Sequence, residues 1–455
     1  MIDTQMSRAL ERFLDLNAFR HGLIASNLAN VDTPSYSRQR ANLIEGPVTT
    51  EGSLTFGTGV DFAGVTSLRD AILEIRIRQE RQQQGAANAF VQSMSQAQVM
   101  FSDSSGDIGS TMAAFFSSLQ SLSTDPASMS LRQGVLAAAG NLASAFRTTS
   151  QNLNAQRSNL DLSVGETVDQ INVLSSQIAN LNAQITTMQN MHQEPSAFID
   201  QRDVLIGKLA DLVDVSTIQS DKGLSLTTSN GTALVAGDQS FKLDVQLDVS
   251  GVQHIFSQGN DLTASIKGGA LAGYLQVRDQ KIPSIQSSLD VLAAGIANAV
   301  NAANRKGFDL SGNPGGDFFV APPSSGQGAA ATLSLQITDP ALIAASSDGS
   351  PGSNGNVAQL LAVHDQAIAG GKTPSEHYAN LVFGIGSDVA NGTAEQDATG
   401  LVLGQLQDQR GSVSGVSLDE EAANLLQYQR AYDAAAKVVT TINDMLEAAV
   451  NLGRY

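Results

Sequence analysis

The chain contains no cysteine, which excludes disulfides, thiolate nucleophiles and cysteine-ligated metals. Tryptophan is absent as well, and aromatic residues reach only 5% of the 455 positions. That poverty disfavours an enzyme built around a deep aromatic pocket and suits helices seamed by Leu, Ile, Val and Ala. Basic residues are few, 26 against 44 acids, for a formal charge of −18. Nucleic-acid binding needs clustered Lys and Arg, so no nucleic-acid partner is expected. No run approaches the roughly 20 apolar residues that cross a bilayer, so no membrane insertion is expected either. The opening Met1 to Met6 lacks a basic region followed by an apolar core, so the expectation is a chain without a cleavable signal peptide.

Catalytic chemistry is also missing. The histidines His21, His192, His254, His364 and His377 are scattered without metal-ligand spacing. His364-Asp365 has no accompanying nucleophile motif. Gly57-Thr58-Gly59 with Gly64 fails the dinucleotide spacing. Asp309 to Asn313 with Asp317 resembles half a calcium loop but lacks the terminal Glu, so a glycine turn docking Phe308, Phe318 and Phe319 is the better reading. The expectation is a protein that is not an enzyme, with no catalytic residues, cofactor or metal.

What the chain does have is regular patterning at its two ends. Ile2, Met6, Ala9, Phe13, Leu16 and Leu23 recur at alternating four- and three-residue steps. Arg20 and Asn27 occupy the same stripe and interrupt it, an arrangement that lowers stability but sets register. Thr33-Pro34 then stops the helix. At the other end Leu418, Leu425, Tyr432, Val439 and Leu446 form one series, with Tyr428, Ala435, Ile442 and Ala449 offset by three. Ser417 with Glu420 reads as a capping box, and Asp419-Glu420-Glu421 as acids favoured in a first helical turn. Such stripes on isolated helices are marginal in water, so both ends need partners. Pattern alone leaves the chain's own core and an assembly surface equally open.

Between the ends, residues 43–65 read as short strands or an extended connector, and helix returns from Ser67 to Met100 and from Ser110 to Leu122. Leu153, Leu160, Thr167, Leu174, Leu181 and Met188 recur every seven residues, joined by Val164, Ile171, Ile178 and Ile185. Two interleaved series of that length predict a coiled-coil-like hairpin arm. From Val213 to Ser265 the period shifts to two, with Asn230-Gly231 as a hairpin signal. Helix resumes from Leu271 to Asn304, Leu333 to Ile337 reads as a strand, and helix follows over 357–369 and 378–412.

The expected fold is mainly α with a smaller β part. Paired N- and C-terminal helices, coiled-coil-like, join a long helical-bundle core domain that carries a small inserted β-rich domain. In chain order the expected parts are an N-terminal axial helix and connector (1–66) and a helical core with the heptad arm (67–212). A β-rich segment (213–268), a returning helix (269–306) and a loop region rich in Gly, Ser and Pro (307–356) follow. A second helical return (357–412) and the C-terminal axial helix (413–455) complete the chain.

The run Ala25-Ser26-Asn27-Leu28-Ala29-Asn30 followed by Thr33-Pro34-Ser35-Tyr36 resembles the N-terminal signature of bacterial flagellar axial proteins: the rod, hook and hook-associated subunits. Gln427 to Tyr432 and Met445-Leu446 are similar to the C-terminal part of the same family. Within it, four interior stretches resemble the hook-associated type that forms the first hook–filament junction. They are Val168 to Asn172, the arm ending Leu181-Asn182, Ile199 to Leu205, and Gly307 to Asp309 with Asp317 to Phe319; Tyr36-Ser37-Arg38-Gln39 is similar to that type too. Ser35 stands where the family has Gly, which favours a type I turn there. The chain is short for the family, as if an outer domain between Gly312 and Val357 were reduced.

The resemblance implies an extracellular structural subunit at the hook–filament junction, exported by the flagellar type III apparatus. Its implied partners are further copies of itself in a ring, the hook subunit, the second hook–filament junction protein, and a cytosolic export chaperone on the C-terminal helix. The implied assembly residues are Ile2, Met6, Phe13, Leu16, Leu23, Asn27 and Asn30 at the start. At the end they are Leu418, Leu425, Tyr428, Tyr432, Val439, Ile442 and Leu446. A hook or distal-rod subunit is the alternative within the family, and a secreted helical adhesin the alternative outside it.

Overall fold

The computed structural model describes residues 2–33, 36–51, 54–57, 59–102, 106–191, 193–220, 223–249 and 251–452. The N-terminal stripe forms one helix, α1 (Ile2–Ala29). Pro34 and Ser35, where the type I turn was expected, lie outside the described residues. Four strands follow: β1 (Gln39–Glu45), β2 (Val48–Glu51), β3 (Leu54–Gly57) and β4 (Val60–Ser67). β1 pairs antiparallel with β4 from Gln39↔Ser67 to Glu45↔Val60, with a bulge between Asn42 and Leu43, and β2 pairs with β3.

Three helices come next: α2 (Ala71–Val99), α3 (Ile108–Leu122) and α4 (Met129–Asn190). Asp70 starts α2 by accepting from the backbone N–H groups of Ile72 and Leu73, and Asp107 starts α3 through Ser110. α4 is a single helix of 62 residues, about 93 Å long at 1.5 Å per residue. The heptad arm is therefore not a hairpin of two long helices. Its return, α5 (Ser196–Leu212), has only 17 residues, and strands cover the rest of the seam.

The seam drifts as it runs. Leu153 and Leu160 are buried, but Leu174, Leu181 and Met188 are only partly so, while Ser175 and Asn182 turn inward. A straight helix of 3.6 residues per turn rotates away from a strict seven-residue repeat by about 20° per heptad. Asn182 meets the strands by donating to the carbonyls of Leu224 and Gly237.

Seven strands make two small antiparallel sheets: β5 (Ser216–Ser220), β6 (Gly223–Thr227), β7 (Ala233–Ala236) and β8 (Gln239–Ser240) in one, β9 (Asp244–Leu247), β10 (Gln253–Ser257) and β11 (Asn260–Asp261) in the other. The Asn230-Gly231 signal sits in the β6–β7 connection. The loop is longer than two residues: Gly231, at φ +87°, donates to Thr228, which in turn donates to Thr232. The chain then forms α6 (Gly269–Gln276), one turn of π-helix over Val277–Lys281, and α7 (Ile282–Asn304).

Residues 307–356 hold only α8 (Ala329–Thr332), a 3-10 turn and the start of α9 (Gly355–Ala362). Leu333 to Ile337 is not a strand; one bridge, Phe319 to Leu335, is all that forms, because Leu333 and Ile337 are drawn into the core on an irregular backbone. Asp309 accepts from the backbone of Ser311 and Asn313 around Gly312, and Phe318 and Phe319 beside this turn are fully buried. Two long helices end the chain: α10 (Pro374–Ser414), opened by a Thr373–Glu376 capping box, and α11 (Leu418–Leu452).

Two hydrophobic cores are strung along α4. The first joins α3, the first half of α4, α7 and residues 307–363, and centres on Phe115, Phe146, Leu289 and Phe318. The second joins the second half of α4 to α5, α6 and the strands. Arg278, in the π turn, is fully buried between them. It reaches Asp161 of α4 at 2.7 Å and the carbonyl of Gln253 at 2.9 Å, so the joint between the cores is polar and specific. α2 and α10 lie side by side and lead from the first core towards the terminal helices.

Candidate assembly site

α1 and α11 pack together antiparallel, with Asn27 beside Glu421 and Arg20 beside Tyr428. The two polar interruptions of the N-terminal stripe both fall at contacts. The Arg20 guanidinium stacks over the Tyr428 ring at 4.8 Å, and His21 meets the same ring edge-on. Asn27 is buried and acts as a backbone mimic: its amide donates to the Gln39 carbonyl and accepts from the Gln39 N–H, both at 3.0 Å. The Tyr36 hydroxyl donates to the same Asn27 oxygen at 3.0 Å. Asn30 closes the helix end by donating to Ser26 and accepting from Thr33.

The remaining residues singled out in the sequence fall into two groups. Leu16 is buried, and Phe13, Leu23, Leu425, Tyr428, Val439 and Ile442 are half-buried. Leu418, Tyr432 and Leu446 are exposed, at 54%, 42% and 39%. The side chains of Ile2 and Met6 lie outside the described residues. Of the two C-terminal series, the one through Tyr428, Ala435 and Ile442 lies nearer α1, and every second member of the other faces solvent. Ile24 and Ala435 also carry the contact, although neither was picked out as an assembly residue.

The densest part of the site is the segment Tyr36 to Gln39, a hub for five elements. The Arg38 N–H donates to Ser414 at the end of α10, and its carbonyl accepts from Leu68 after β4. Its guanidinium pairs with Glu420 and, at 2.7 Å, with Glu421, which is 2% exposed. The expected Ser417–Glu420 capping box is thus only half present: Ser417 accepts weakly from the Glu420 N–H, while the Glu420 carboxylate turns to Arg38. The first-turn acids do more than complement the helix dipole, since two of them clamp the N-terminal segment.

Behind Arg38, the buried Ser37 hydroxyl accepts from Arg69 at 3.2 Å. Arg69 in turn pairs with Asp200 and, at 3.0 Å, with Asp203, both on α5. Burial raises the carboxyl pKa of both acids above the ordinary range, against the pull of Arg69. The Tyr36 phenol is raised too, first by burial and then by the charges of Asp200 and Glu421. Arg38 and Arg69 were not among the expected site residues. The Tyr-Ser-Arg-Gln stretch drew attention to the neighbourhood of Arg38 only by resemblance, and nothing in the sequence tied either arginine to Glu421 or to the acids at 200 and 203.

No metal-ligating cluster occurs among the described residues, and the site encloses a small cleft of about 170 Å³ between α1, α11 and residues 38–41. It can hold two terminal helices together and fasten them to a helical core. Phe19 packs against Phe62 of β4 with the rings tilted by 57° and their centres 4.5 Å apart, and Arg12 pairs with Asp61, so the β1–β4 ribbon braces the outer side of α1.

Residues 94–319 match the family model described as the flagellar hook-associated protein FlgK helical domain, and residues 409–452 match the C-terminal model of flagellar basal body rod FlgEFG proteins. The chain is 27% identical to flagellar hook-associated protein 1 of Escherichia coli (strain K12) over 535 aligned positions, which cover 96% of this chain and 98% of that one. It is 29% identical to flagellar hook-associated protein 1 of Bacillus subtilis, covering 94% of each. The solved flagellar hook junction protein FlgK of Burkholderia pseudomallei superposes with a TM-score of 0.68 at 19% identity, over 74% of this chain and all of that one, which shows a shared fold.

Proposed function

We propose that this chain, which belongs to the flagellar hook-associated protein 1 family, is a structural subunit of the bacterial flagellum at the hook–filament junction. It forms the ring at the distal end of the hook on which the filament is assembled. The observation that carries the reading is the state of the terminal helices. α1 and α11 are paired, yet Phe19, Leu28, Leu418, Leu426, Val438 and Met445 remain exposed. A single copy leaves those side chains in water, and closed contacts with neighbouring subunits would cover them. Further copies of the chain, the hook subunit and the second junction protein are the partners this reading requires. A cytosolic export chaperone would shield α11 before assembly, during type III export.

One observation favours a hook or distal-rod subunit instead: the rod-type match over residues 409–452. The helical-domain match over 94–319 weighs against it. Deleting the gene in its source bacterium separates the readings by electron microscopy of the cells and an assay of the medium for flagellin. Bare hooks with unpolymerised flagellin outside are expected. Missing hooks would move the protein inward to rod or hook, and intact filaments would overturn the structural reading.

A further inference from the structure

α2, α5 and α10 enclose a cleft of about 410 Å³ on the core side of the hub. Its charged lining is Arg78, Arg81, Lys208 and Arg410 against Glu74 and Asp203. Both acids are already engaged, Glu74 by Arg410 and Asp203 by Arg69, and Arg81 pairs with Asp211 at 3.0 Å. Arg78 is half-buried and stands in the field of Asp203 and Glu74 without bonding either, and the exposed Lys208 makes no hydrogen bond or direct ion pair among the described residues. A guanidinium drawn partly out of water without a bonded anion is unfavourable, and an arriving carboxylate would offset that through a two-pronged bond. On the other flank of α5, between it and α4, runs an apolar groove of about 560 Å³. Val173 stands 56% exposed in that groove, and Lys208 borders both recesses.

We propose that this cleft receives a carboxylate side chain from a second copy of the chain, with Arg78 as its bonded partner and Lys208 beside it. Apolar atoms flanking that carboxylate would rest in the groove at Val173 and Leu174. Charge complementarity selects the occupant. A chain with 44 acids and a formal charge of −18 meets any neighbouring copy with carboxylates in excess, and the cleft itself is lined by more cations than acids, with Asp169 and Asp211 set apart along the groove beside it. The inference rests on the reading that copies of the chain adjoin one another in the flagellum.

Because the chain has no cysteine, Gln407→Cys places a unique thiol at the exposed rim of the cleft. A thiol-reactive benzophenone attached there is photolysed in purified hook–filament particles, and the joined peptides are identified by mass spectrometry. The expected product links this chain to an Asp- or Glu-bearing peptide of another copy. Adding Arg78→Gln should cut its yield by about tenfold, as for a charge pair shielded from bulk water, and Arg78→Lys should retain part of it. Links to the hook subunit or another protein, or none in particles that contain the chain, would overturn the inference while leaving the junction role standing. Absence of the chain from the particles would remove the junction role itself, and this inference with it.

Discussion

Asn27 makes two backbone bonds that no neighbouring side chain duplicates. Replacing it with Ala leaves the Gln39 N–H and carbonyl without their partners, a loss of about 2 kcal/mol. Amide exchange at Gln39 and Arg40 should accelerate while the two cores keep their protection, and unchanged exchange at the hub would contradict the role given to Asn27. The acids behind the hub predict a pH dependence. Asp200 and Asp203 have folded pKa values raised by burial, so the folded state binds protons more readily than the unfolded chain. Their contribution is fully present below the unfolded carboxyl value of about 3.9 and is lost as pH rises through the raised values. Urea midpoints should therefore fall over that window as pH rises, and less steeply in Asp203→Asn. An equal slope in both proteins would mean that Asp203 does not titrate in this way. At this scale the sequence was legible in part. Asn27 and Arg20 could be seen as breaks in a stripe, but Arg38 and Arg69 could not be ranked above the chain's other arginines. Their importance comes from partners up to 383 positions away, which no local pattern encodes.

Among the elements, helix patterning was the easiest to read, because a 3.6-residue period repeats many times in α1, α4 and α11. Partners were harder, since a stripe states that a face is covered and not by what. The seam of α4 illustrates this: its residues called for a second long helix, and α5 with two small sheets supply the cover instead. The strand expected over Leu333 to Ile337 failed for a related reason, as β-prone residues can be buried on an irregular backbone when a neighbouring core takes them up. Close contact between α2 and α6 gives a sharp test. A Cβ on Gly273 would lie 2.4 Å from the Ala86 carbonyl oxygen and 2.8 Å from the Ala89 Cβ. Gly273→Ala should cost about 1–3 kcal/mol through forced separation of the helices, visible as a lowered melting temperature; an unchanged one would mean that the contact yields easily. For α11, the proposed function assigns the exposed series to the surface offered before assembly. Leu418→Asp with Leu446→Asp should abolish export-chaperone binding in pull-down while leaving helix content by circular dichroism unchanged. Retained binding would place the chaperone elsewhere.

For the whole molecule, fold class followed from composition and periodicity, while the resemblance came from short motifs at both ends and in the interior and carried the pairing of the terminal helices with it. The motifs could not show that two of them meet. Tyr36 to Gln39 and Ile199 to Leu205 are joined through Arg69, so the stretches that mark the family also fasten the terminal helices to the core. Because α4 threads both cores without a break, they cannot pivot on one another unless its hydrogen-bond ladder ruptures. A sideways push on the far core therefore travels along a stiff beam. α4 ends at Asn190, a few residues before Glu194, which lies against Gly64 of the terminal ribbon, and the hub follows closely. The terminal helices are therefore tied to the cores twice over, by the polar bonds of residues 36–39 and by the α2–α10 pair that runs from the first core to the hub. A load applied at the terminal helices would then reach the first core along α2 and α10 and be passed to the second along α4.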